Sequence, residues 1–262
     1  MGLIAERGDA ADGYEAVPIP PASDEAADSG RPMLRRRSAQ PSRRAVLCVH
    51  GQRDTFVPED LASWYTERGF HFYVADLRPR DGQRRSRRGR RRARAEFARL
   101  DAACRHLRKT EGVEMIIMTA DTADAATAAV WCDARPEAGR ADALILSAPV
   151  FGRRLRRGLD IACPVLVLGR AGVEASRSPG RRPDQAAIKL GPHVTWLRLD
   201  DGPTGPEAGP DGGTNGGTNG GTNGGTNGGT NADAGADRRR FFDEMGRWLG
   251  AYMYGQVRDQ LL

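Results

Sequence analysis

An α/β domain built on a doubly wound, mostly parallel sheet is the fold class the sequence predicts. Two observations carry that prediction. Short apolar runs rich in β-branched and aromatic residues alternate with stretches of helical periodicity. The chain's 262 residues are also enough to bury one full-sized core but not two.

Taken in order, residues 1–12 read as a disordered lead. Two strand candidates follow, around Tyr14 to Pro20 and Pro32 to Ala39. The acidic loop Ala22-Ser23-Asp24-Glu25 separates them, so a hairpin is expected. Ala45-Val46-Leu47-Cys48-Val49 is a continuous apolar run ending in His50-Gly51, the signature of a buried parallel strand entering a loop. Pro58-Glu59-Asp60 opens a helix through Arg68, which Gly69 ends.

Phe70 to Leu77 is a second buried strand. From Ala93 to Lys109 the apolar positions Phe97, Leu100, Ala103, Cys104 and Leu107 recur at helical spacing, which predicts an amphipathic crossover helix ended by Gly112. A strand at Glu114 to Met118 then breaks sharply at residues 119–124, ahead of an alanine-rich helix. Strands at Ala143–Ser147, Pro164–Leu168 and Val194–Leu199 follow. The last element is an amphipathic helix from Arg238 to Tyr254, with Phe241, Phe242, Met245, Trp248, Leu249 and Tyr252 on its buried side.

Five tandem Gly-Gly-Thr-Asn units, residues 212–231, sit inside a stretch of about 201–236 that reads as a flexible insert. Glycine and asparagine at this density bury too little apolar surface to offset the ordering of their backbone. The units lack the aspartate of a calcium-binding repeat, so no metal is expected there.

The formal charge of +6 rests on arginine, because Lys109 and Lys189 are the only lysines among 40 basic residues. Cys48, Cys104, Cys132 and Cys163 show no paired or metal-ligand spacing and read as reduced, buried thiols. The acidic N-terminal stretch lacks the basic and apolar parts of a signal peptide, and no apolar run reaches the roughly 18 residues of a membrane span. The expectation is a cytoplasmic chain with no transmembrane segment and no cofactor.

The run from Arg43 to Arg78, RRAVLCVHGQRDTFVPEDLASWYTERGFHFYVADLR, resembles the strand, His-Gly loop, helix and next strand of α/β hydrolases of the lysophospholipase and serine aminopeptidase S33 type. The strand at residues 114–118 lies where that family puts the strand before its G-x-S-x-G elbow. Residues 156–169, 190–202 and 241–253 resemble its seventh strand, final strand and final helix. The resemblance implies an α/β-hydrolase fold over residues 13–262, with the cap segment largely absent. Only about ten residues, Phe151 to Asp160, stand where the family carries its lid.

Against the elbow, the chain reads Thr119-Ala120-Asp121-Thr122-Ala123, which assigns Asp121 to the nucleophile position. The family's histidine, just after the last strand, aligns with Thr204, which is no base near neutral pH. His50 and Gly51 form the His-Gly motif, and the backbone N–H groups of Gln52 and Thr122 are the oxyanion-hole donors the resemblance implies. The reading that follows is a pseudoenzyme that keeps the scaffold as a binding or interaction module for a small acyl or ester-like ligand. Two alternatives stay open: an active ester or lipid hydrolase, including one with Asp121 as a carboxylate nucleophile, and a polyanion binder. The second would use the run Arg84, Arg85, Arg87, Arg88, Arg90, Arg91, Arg92 and Arg94 for contact with nucleic acid or an anionic surface.

Overall fold

A computed structural model describes residues 13–20, 32–51, 59–77, 89–135, 141–149, 158–170, 190–199 and 231–260. Its strands are β1 (Glu15–Val17), β2 (Met33–Arg36), β3 (Arg44–His50), β4 (His71–Asp76), β5 (Met115–Asp121), β6 (Ala143–Ser147), β7 (Val165–Arg170) and β8 (Val194–Leu199). The helices are α1 (Glu59–Glu67), α2 (Gly89–Lys109), α3 (Thr122–Ala134) and α4 (Asn231–Gln260). The strands form one sheet in the order β1-β2-β4-β3-β5-β6-β7-β8. The β1–β2 hairpin runs antiparallel and joins β4 antiparallel, while β3 to β8 are mutually parallel.

The two-residue alternation along each strand divides the core into two layers. Ala45, Leu47 and Val49 of β3 face one side with Ile116, Met118 and Ala120 of β5, under α2 and α3. Val46 and Cys48 face the other with Phe72, Val74 and Ile117, under Trp64 and Tyr65 of α1 and Met245 and Leu249 of α4. Trp64 stacks on Phe242 at 5.6 Å between ring centroids, joining α1 to α4.

Polar ties join neighbouring elements. Trp131 Nε1–H donates to Asp101 at 2.9 Å and links α3 to α2. The Asp142 carboxylate accepts from Ile116 N–H and from Arg108, both at 2.6 Å, at the entry to β5. All four cysteines are free and buried. Burial pushes the Cys48 and Cys104 thiols up to about 12, so neither is a thiolate near neutral pH.

Three elements differ most in extent from the sequence prediction. α2 starts at Gly89, so Arg90, Arg91 and Arg92 belong to its first turn, because arginine sustains a helix even where no apolar stripe announces it. β5 runs on through Asp121, held by the Ala120↔Leu146 and Asp121↔Ser147 pairs with β6. α4 begins at Asn231, the final residue of the last repeat unit and inside the stretch read as an insert. Residues 1–12 and 201–230, with Arg84, Arg85, Arg87, Arg88, Gln52 and Thr204, lie outside the described residues.

Candidate functional site

The connections leaving β3 and β5 go to opposite faces of the sheet, to α1 on one and to α3 on the other. In an open parallel sheet such a reversal leaves a crevice at the carboxyl ends of the two strands. His50 closes β3 and Asp121 closes β5 at that edge, with Asp76 and Ser147 ending the flanking strands β4 and β6. The His50 carbonyl accepts from Leu77 N–H at 2.6 Å, which anchors the start of the His-Gly loop to the end of β4.

At the end of β5 the chain makes the strand-to-helix turn that the sequence places there. Asp121 is exposed and still extended, with φ −117° and ψ 149°, and as N-cap of α3 it makes no side-chain capping bond. Thr122 carries φ +46°. Left-handed backbone is costly for a β-branched residue, so the strained residue of the turn is Thr122, one place after the position aligned with the nucleophile.

One further side chain enters the crevice. Asp124, in the first turn of α3, accepts Gly51 N–H through Oδ2 at 2.8 Å. A Cβ on Gly51 would lie 2.7 Å from Asp124 Oδ1, so this glycine is needed for the close approach. The carboxylates of Asp121 and Asp124 both lie near enough to Cys48 to raise its thiol further, after burial itself. The elbow pattern in the sequence does not single out Asp124. The signal was an acid three residues after an N-cap aspartate, the spacing of a capping box.

The histidines fall on two edges. His71 opens β4, His193 immediately precedes β8 with its carbonyl accepting Val165 N–H at 2.8 Å, and His106 lies in the last turn of α2. His106 Nε2 is 3.4 Å from Glu111, which in turn takes both bonds from Arg35 Nη1 at 2.8 Å. These three mark the amino ends of the parallel strands, the edge opposite the crevice. A seven-residue strand separates the edges by roughly 20 Å. His50 is the one histidine at the crevice edge, and no histidine follows His193 in the sequence.

Among the described residues no three His, Cys, Asp or Glu side chains come together to hold a metal ion. No helix among them is long and apolar enough to cross a membrane.

By sequence, no family model and no curated protein matches the chain. Solved structures do match. Dienelactone hydrolase from Anabaena variabilis ATCC 29413 is similar at TM-score 0.51 and 15% identity, covering 71% of this chain and 85% of that one. An α/β serine hydrolase without lid from Xanthomonas campestris gives 0.48 at 13% identity, with 73% and 87% covered. An α/β hydrolase from a Medee basin deep-sea metagenome library gives 0.48 at 14%, with 71% and 81% covered. The chain has the α/β-hydrolase fold.

Proposed function

We propose that this α/β-hydrolase-fold chain, related to the lysophospholipase and S33 branch, is a cytoplasmic pseudoenzyme that keeps its crevice as a binding or interaction site for a small acyl or ester-like ligand. The observation that supports this best is the placement of the histidines. Acyl transfer to a hydroxyl needs a base within hydrogen-bond reach of the nucleophile. Three of the four imidazoles lie at the far edge of the sheet, and the chain after β8 contains none.

The turn supports the same reading with a shifted register. Thr122, with its positive φ, takes the nucleophile position, and Asp124 takes the place of the elbow's second small residue. Asp121, extended and one residue early, is a poor carboxylate nucleophile. Four free cysteines fit a reducing compartment.

The test is turnover of short-chain nitrophenyl esters by the purified protein. The expected result is a rate no higher than that of a Thr122→Ala variant, both near the rate with a non-enzymatic control protein. Saturable turnover that Thr122→Ala or Asp121→Ala abolishes would overturn the reading.

A further inference from the structure

Among the described residues, the side chain of Asp124 bridges the ends of β3 and α3 across the crevice. Asp124 reaches from the first turn of α3 to the loop after β3, where its Oδ2 takes Gly51 N–H at 2.8 Å and its Oδ1 fills the space a Cβ on Gly51 would need. A thirteen-residue helix presents its positive end at the same corner, and its N-cap residue Asp121 supplies no side-chain bond to it. A backbone N–H aimed inward and a helix amino terminus are what an anion would use. Here the anion is already in place.

We infer that Asp124 is a resident anion that occupies this corner and closes the crevice to oxyanions, so that the site refuses the negatively charged groups the fold could otherwise take there. The inference rests on the reading of the crevice as the binding place, but not on the loss of hydrolysis. A carboxylate at the corner opposes any second negative charge at short range, in the ground state of a ligand or in a developing oxyanion. It also explains the glycine at position 51, since any side chain there would collide with the bridge.

The test uses the full chain, labelled with nitrogen-15, as wild type, Asp124→Asn and Asp124→Ala. Inorganic phosphate is the probe, chloride at matched ionic strength the control, and the Gly51 amide resonance the readout. Wild type is expected to show no saturable shift, and the Asn variant, which fills the corner without the charge, a weaker shift than the Ala variant. The Ala variant is expected to show a saturable shift, with phosphate bound at least tenfold more tightly than by wild type. A folded Ala variant whose Gly51 amide ignores phosphate, or wild type that binds it equally well, would overturn the inference. Should the Ala variant fail to fold, the unliganded Asn variant decides. Loss of the charged acceptor must move the Gly51 amide, and an unmoved resonance refutes the bridge. Ester turnover, by contrast, would sink the pseudoenzyme reading and leave these titrations untouched.

Discussion

Thr122 is the residue at which backbone strain and candidate chemistry coincide. A β-branched side chain at φ +46° is held there by its neighbours, with Asp121 paired to Ser147 on one side and α3 beginning at once on the other. Left-handed backbone costs an L-residue roughly 1–2 kcal/mol, and glycine's greater unfolded-state freedom returns roughly 0.5–1 of that. Thr122→Gly is therefore expected to raise stability by about 0.5–1 kcal/mol in urea unfolding, and a loss of comparable size would show that the side chain itself supports the turn. The sequence assigns the centre of the turn to Asp121, within Thr119 to Ala123, and aspartate tolerates positive φ better than threonine does. What settles the backbone is the length of β5. Its pairing with β6 keeps Asp121 in the sheet, and pairing of that kind is a tertiary fact.

Among the elements, the parallel strands were the most legible part, since unbroken apolar runs such as Ala45 to Val49 have no other comfortable home. Ends were harder to read. α2 extends into an arginine run with no apolar period, and α4 extends back over Ala- and Asp-rich residues that resemble the insert more than a helix. The link between β2 and β3 is also organised by a side chain far away in sequence. His71, the first residue of β4, accepts Ser38 N–H at Nδ1 over 3.1 Å. Burial, followed by the charge of Arg37, lowers its pKa, with Arg35 acting in the same sense and Glu111 and a bond to the Ser42 backbone opposing. Because the folded imidazole resists protonation, its contribution to stability is complete above its ordinary value of 6.5 and declines as the pH falls below it. The decline stops once the folded group also protonates. Urea midpoints between about pH 5 and 8 should therefore fall toward acid in wild type and fall less in His71→Asn. Equal slopes in the two proteins would remove His71 as the cause.

At the scale of the whole molecule, the sheet separates two chemical edges. The amino-end edge gathers arginine, glutamate and histidine into paired clusters, with Arg35 joined to both Glu15 and Glu111. The carboxyl-end edge gathers His50, Asp76, Asp121, Thr122 and Asp124 around the crevice. An open parallel sheet has its crevice at the second edge, and here that edge carries a hydroxyl at the turn, with a carboxylate on the loop N–H beside it. Much of this was legible in advance. The His-Gly motif, the strand-to-helix turn and the missing late histidine all lie in short sequence segments. The Asp124 bridge was not, because it joins residues 73 positions apart and depends on how closely α3 approaches β3.

Exposure of the purified chain to a fluorophosphonate, followed by intact-mass measurement, shows whether the Thr122 hydroxyl is activated. A hydroxyl activated by a base displaces fluoride and leaves a covalent phosphonyl ester, whereas an unactivated threonine does not react. The expected result is unchanged mass after prolonged exposure, under conditions that label an ordinary serine hydrolase to completion. A single phosphonyl adduct that maps to Thr122 and vanishes on heat denaturation before treatment would contradict it.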